Sequence, residues 1–182
     1  MSTEKTIHQY QEVISACKSL FMKKNADYGT SWRIMRPSSI TDQIFIKAQR
    51  IRSIEEKGTQ KVQDPIADEF VGIINYCIIG LILLHNPNIE ANEIDLDILE
   101  SKYQQEVNST MELMLNKNHD YGEAWRSMRI STFTDLILTK ILRTKEIESN
   151  KGKTLISEGI DANYRDMMNY AIFASIRLNE NK

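Results

Sequence analysis

Apolar residues recur at three- and four-residue spacing along most of this chain. Ile14, Cys17, Leu20 and Phe21 form one such series, and Val107, Met111, Met114 and Leu115 another. That period puts each series on one face of a helix, and no apolar–polar alternation of useful length suggests a strand. Turn and cap signals cut the chain into six helices, over about 6–25, 39–58, 64–84, 95–118, 132–152 and 158–178. Ser39-Ile40-Thr41-Asp42 and Thr132-Phe133-Thr134-Asp135 read as capping boxes. Asp64-Pro65 reads as a cap followed by a first-turn proline. The pattern predicts an all-α bundle.

The six helices are two sets of three, because the chain repeats itself at a spacing of about 93 residues. Lys24-Asn25-x-Asp27-Tyr28-Gly29-x-x-Trp32-Arg33-x-Met35-Arg36 returns as Lys117-Asn118-x-Asp120-Tyr121-Gly122-x-x-Trp125-Arg126-x-Met128-Arg129. Tyr10 is matched by Tyr103, Lys47 by Lys140, Arg50 by Arg143, and Asn75-Tyr76 by Asn169-Tyr170. This period is far longer than a solenoid unit. It predicts two pseudo-symmetric three-helix repeats, 1–88 and 89–182, in one bundle. The duplication also leaves open a single chain standing in for a dimer, or a homodimer of the whole.

Composition narrows the function classes. Net charge is −2, so no overall basic field recruits nucleic acid, and sequence-specific nucleic-acid binding is not expected. Cys17 and Cys77 lie far apart in helix-like runs and suit buried free thiols in a reducing cytosol. The start lacks a signal-peptide pattern, and the apolar run Ile73 to Leu84 is short for a membrane span of about 20 residues. The expectation is a cytoplasmic protein with no membrane partner. There is no glycine-rich phosphate loop and no zinc-spaced Cys/His set.

The repeated loop carries the richest chemistry. Asp120, Tyr121, Gly122, Trp125 and Arg126 supply a carboxylate, two aromatic faces, a flexible backbone point and a guanidinium. Aromatics stack bases and arginine binds phosphate. The same residues also suit a packing plug, with Asp paired to Arg. Lys140 and Arg143, three apart on a helix, are an anion pocket or a solvated basic face. On the last helix, Glu158, Asp161, Arg165 and Asn169 share a face, with Asp166 at its edge. The opposite side is apolar, so the helix is expected to be buried. Charges there cost several kcal/mol unless paired or bound to a metal. The two readings are a capped helix start with an Asp161–Arg165 pair, or carboxylates held for a divalent cation. The matched first-repeat stretch has fewer acids in register, so the second repeat is expected to carry more of any site.

Taken together, Lys117, Asp120-Tyr121-Gly122, Trp125, Lys140, Arg143, Glu158, Asp161, Asp166 and Asn169-Tyr170-Ala171 resemble the family called nucleotide modification associated domain 1, formerly the domain of unknown function 1599. The first repeat resembles it through Lys24, Asp27-Tyr28-Gly29, Trp32, Lys47, Arg50 and Asn75-Tyr76. The layout is also similar to all-α nucleoside triphosphate pyrophosphohydrolases. The resemblance implies a nucleotide-binding helical protein that processes a nucleotide or derivative with Mg²⁺. Asp120, Glu158, Asp161 and Asp166 are the implied catalytic acids, with Mg²⁺ on the last three. Tyr121, Trp125, Arg126, Lys140, Arg143 and Asn169 are the implied nucleotide contacts. The Glu-x-x-Glu element of the pyrophosphohydrolases has no counterpart, since Glu146 and Glu148 are two apart and Glu55-Glu56 adjacent. The alternative is a non-catalytic binding or scaffold subunit beside a nucleotide- or DNA-modifying enzyme.

Overall fold

The computed structural model describes residues 2–89 and 92–181. Its long helices are α1 (Ser2–Tyr28), α2 (Pro37–Lys57), α3 (Ile66–His85), α4 (Leu96–Tyr121), α5 (Ile130–Ser149) and α6 (Ile160–Glu180). No strand occurs among the described residues. The all-α architecture and its six-helix layout are as the periodicity predicts.

Helix ends follow local chemistry. α1 stops where Gly29 turns left-handed (φ +67°) and donates its N–H to Asn25 O at 2.7 Å. α4 stops the same way at Gly122 (φ +59°), which donates to Asn118 O at 2.9 Å. Glycine adopts this geometry without a Cβ penalty. The capping boxes expected at Ser39 and Thr132 do not form. α2 starts earlier, with Pro37 in its first turn, and α5 starts at Ile130, so both residues already lie inside helix. The last helix also starts later than its periodicity suggested. Gly159 is extended (φ −78°, ψ −171°) and precedes the first turn, which leaves Glu158 in the loop, off the helical face.

α3 and α6 form the central pair. α2 flanks α3, α5 flanks α6, and α2 meets α5. α1 and α4 lie across this layer, and each touches both α3 and α6. The repeats therefore interlock around one core. Phe70, Ile73, Ile74, Ile78, Met167, Met168 and Ile172 are fully buried there. Each such aliphatic or aromatic side chain contributes about 1.5–3 kcal/mol on burial. α3 as a whole is longer than the apolar run within it, and by length and composition alone it could cross a membrane. Here its faces are covered by α1, α2, α4 and α6.

The contacts between repeats come in matched pairs. Thr41 Oγ1 donates to Glu148 Oε1 at 2.7 Å, and Thr134 Oγ1 donates to Glu55 Oε1 at 2.6 Å. Lys145 pairs with Asp42 at 3.0 Å, and Arg52 with Asp135 at 3.4 Å. In each case the same two positions meet twice, once in each direction. That is the signature of an isologous two-fold interface, here inside a single chain.

Candidate functional site

The first repeat builds a cavity of about 520 Å³ from three directions. The end of α1 contributes Lys24, Asn25 and Tyr28, and the loop after it contributes Gly29 and Trp32. α2 contributes Lys47, and α3 with the residues just before it contributes Asp64, Asp68, Glu69, Gly72, Asn75 and Tyr76. The loop is compact because Gly29 turns the chain into a short 3-10 turn, Ser31–Ile34, which buries Trp32. Glu93, from the segment joining the repeats, latches it. Thr30 N–H and Oγ1 donate to Glu93 Oε1 at 2.9 and 2.7 Å, and Arg33 pairs with Oε2 at 2.7 Å. These bonds, led by that from the Thr30 amide, hold the Glu93 carboxyl below the usual range.

Charges inside the cavity are partly spent. Glu69 accepts from Arg50 at 3.0 Å and from Lys47 at 3.4 Å, and Lys47 lies 5.9 Å from the centre of the Tyr76 ring. The Asp64 and Asp68 carboxylates have no ion-pair or side-chain hydrogen-bond partner among the described residues. Asn25 Oδ1 is a buried acceptor, also unpartnered. Tyr28 is more than half exposed at the rim, and its phenol is raised by partial burial and by the nearby Tyr76 hydroxyl.

The second repeat disperses the residues that sequence reasoning grouped. Asp120 and Tyr121 point to solvent, 76% and 74% exposed, and Asp120 meets only His119, at 3.1 Å. Glu158 and Asp161 are also exposed. Asp166 is buried and holds two lysines, Lys117 at 2.7 Å and Lys140 at 2.8 Å. Burial pulls the Lys117 ammonium down, but its bond to Asp166 and the surrounding negative charge raise it above the ordinary lysine value overall. Arg165 pairs with Glu106 at 3.1 Å in place of Asp161, and Glu106 also meets His85 at 2.7 Å.

Trp125 is buried against Phe173. Arg126 donates to Thr6 at 2.7 Å and Gln9 at 2.8 Å and pairs with Glu123 and Glu180. Asn169 Oδ1 accepts from Tyr10 and its Nδ2 donates to Thr110 O at 3.2 Å, so both ends of its amide serve the core. Lys140, Arg143 and Glu158 do share an open groove beside residues 150–157, but the loop aromatics are absent from it. Among the described residues no three His, Cys, Asp or Glu side chains gather as a metal-holding group. As arranged, Glu158, Asp161 and Asp166 are not a common ligand set, because the third is bridged by lysines and the first two face water.

The residues that sequence reasoning passed over are Glu69, Gly72, Ile79 and Glu93 in the first repeat, and Phe173 in the second. Glu93 lies in an unmatched linker and gave no signal. The others were visible as departures from the repeat: Gly72 stands opposite Asp166, Ile79 opposite Phe173 and Glu69 opposite Asn163.

A family model described as nucleotide modification associated domain 1 matches residues 24–84 and again 117–178. No curated protein and no solved structure matches the chain. Each matched segment begins at the motif lysine near the end of the first helix of its repeat and ends on the third, so it covers the loop and the last two helices. The chain belongs to the nucleotide modification associated domain 1 family and carries that domain twice in tandem.

Proposed function

We propose that the chain binds a nucleotide in the first-repeat cavity and holds it there, as its magnesium complex, for processing. The observation that carries this reading is convergence. Lys24 and Tyr28 from the end of α1, Trp32 from the loop, Lys47 from α2, and Asn75 and Tyr76 from α3 line one cavity of about 520 Å³. Small-molecule sites are typically about 300–1,000 Å³. Tyr28 and Tyr76 offer ring faces to a base, an interaction worth about 1–3 kcal/mol. Asn25 Oδ1 offers an unpaired acceptor to a base amino group. Lys24 offers an unpaired ammonium to phosphate, with Lys47 shared between phosphate and Glu69.

Mg²⁺ in nucleotide sites is usually held by one or two carboxylates together with the phosphates and water. Asp64 and Asp68, unpaired and lining the cavity, fit that mode. The ion would neutralise phosphate charge and polarise a phosphate oxygen. The chain's own part is to orient the base on the aromatics and to keep the two lysines against the phosphates.

A second reading is a binding or scaffold subunit without turnover. It is favoured by Asp166, whose carboxylate is taken up by Lys117 and Lys140. One screen separates the two. Nucleoside mono- and triphosphates, ribo and deoxy, are tested with Mg²⁺ for a rise in melting temperature and for release of phosphate or pyrophosphate. Binding abolished by Lys24→Ala and Tyr28→Ala supports the site, and release abolished by Asp64→Asn supports processing. Binding without release selects the second reading as a binding subunit, and no shift with any nucleotide removes the first reading and leaves the second only as a scaffold.

A further inference from the structure

The two copies of the loop share Lys-Asn-x-Asp-Tyr-Gly-x-x-Trp-Arg-x-Met-Arg, but their tryptophans have different surroundings. Phe173 stacks on Trp125 with 4.2 Å between centroids and 6° between planes. The Arg126 guanidinium also packs over this ring, 4.3 Å from its centre. The position matching Phe173 is Ile79, and Ile79 and Trp32 both line the first-repeat cavity. Trp32 meets Phe21 only at a tilt, with 6.3 Å between centroids.

A second difference lies one helical stretch away. Asp166 ties Lys117 and Lys140 together across the mouth of the second repeat. Its match is Gly72, which faces the first-repeat cavity. A Cβ on Gly72 would come 2.7 Å from Lys47 Cε. The missing side chain is therefore what lets Lys47 lie over α3 with the cavity still open beside it.

We infer that the first repeat is the copy whose tryptophan loop binds a ligand, and that Phe173 and Asp166 are the residues that close the matching loop site of the second, leaving there only the groove that lacks the loop aromatics. The guest's identity rests on the nucleotide reading; the closure does not. The stacked ring occupies the face of Trp125 that a base or apolar guest would use. The carboxylate neutralises the two ammonium groups that a phosphate would need.

The test has a ligand-free arm and a ligand arm. Trp32→Phe leaves Trp125 as the single fluorophore. The two indoles are almost equally buried, at 7% and 6% exposure, so the comparison is made within the second repeat. Adding Phe173→Ile and Asp166→Ala to the Trp125 reporter should raise its quenching by acrylamide several-fold, because the stacked ring is removed. Unchanged quenching in the folded variant overturns the inference, whether or not any nucleotide binds.

In the ligand arm, the full chain is titrated with the fluorescent nucleotide trinitrophenyl-ATP and Mg²⁺. The expected stoichiometry is one per chain, lost in the reciprocal variant Gly72→Asp/Ile79→Phe. A stoichiometry of two, or retention of the site in a folded reciprocal variant, also overturns it. Absence of probe binding counts against the nucleotide reading and leaves the quenching result to decide the closure.

Discussion

Tyr10 in the first repeat donates its hydroxyl to Asn169 Oδ1 in the second at 2.9 Å, and Tyr103 in the second donates to Asn75 Oδ1 in the first at the same distance. Each asparagine also donates from Nδ2 to the first helix of its own repeat, Asn75 to Cys17 O at 3.1 Å and Asn169 to Thr110 O at 3.2 Å. One amide thus pins both first helices to a central helix, and the device occurs twice. It explains why the Asn-Tyr pair recurs without requiring that Asn169 touch a ligand.

Removing either phenol should be costly, because it leaves an asparagine acceptor without its donor, buried at Asn169 and half-buried beside the cavity at Asn75. Tyr10→Phe and Tyr103→Phe are each expected to lose about 1–3 kcal/mol in urea unfolding, the penalty for an orphaned buried polar group. A loss indistinguishable from zero in both variants would mean that water replaces the hydroxyl and that the staple is incidental.

The interface between α2 and α5 makes a pH-dependent prediction. Burial raises the Glu55 and Glu148 carboxyls above the ordinary glutamate value, against the lowering effect of their threonine bonds. A raised folded value means that the fold favours the protonated form. Its stabilising contribution is present below the unfolded value of about 4.3 and is lost as pH rises through the folded value. Glu55→Gln/Glu148→Gln keeps an acceptor for Thr41 and Thr134 while removing the charge. The double variant should melt higher than the parent at pH 7 and converge with it near pH 4. A variant that melts lower at pH 7 would show that the carboxylates are net stabilising.

Glu93 should control the loop more than the bundle. Glu93→Ala removes the acceptor for Thr30 and the partner of Arg33. With that acceptor gone, the Thr30 amide should exchange faster, because local opening is no longer held back by the bond. Hydrogen exchange read by mass spectrometry should show this over residues 29–35, with the core of α3 and α6 unchanged. Unaltered protection in the loop would end the assignment of Glu93 as its latch.

Asp166 is expected to be a stabilising centre of its repeat. Asp166→Asn leaves Lys140, only 16% exposed, without its counter-charge. Fully buried pairs cost about 3–5 kcal/mol to break. Lys117 is nearly half exposed, so solvent recovers part of that, and about 1–3 kcal/mol is expected here. Chemical denaturation of the variant measures it, and adding Lys140→Met should restore part of the loss. No recovery in the double variant would indicate that the aspartate acts through something other than this pair.

The helices, their number and the tandem organisation could be read from the chain alone, because each depends on near neighbours. A 3.6-residue apolar period defines a helix face wherever it falls, and Gly29 and Gly122 end α1 and α4 through backbone geometry that needs no tertiary partner. The loop residues that line the cavity were legible for the same reason, as a motif written twice. The open copy was not, because openness is set between segments. Whether a tryptophan faces a cavity or a ring depends on Ile79 or Phe173, some 48 residues further on, and whether two lysines are free depends on Gly72 or Asp166. Counting acids along α6 favoured the second repeat, but a helix face says nothing of which neighbour it meets. Only packing brought Lys117 and Lys140 onto Asp166, let Gly159 leave Glu158 in the loop, and set each asparagine against the other repeat's tyrosine. Local pattern determined the parts and their duplication, while the long-range contacts decided which of the two equal loops kept an open cavity.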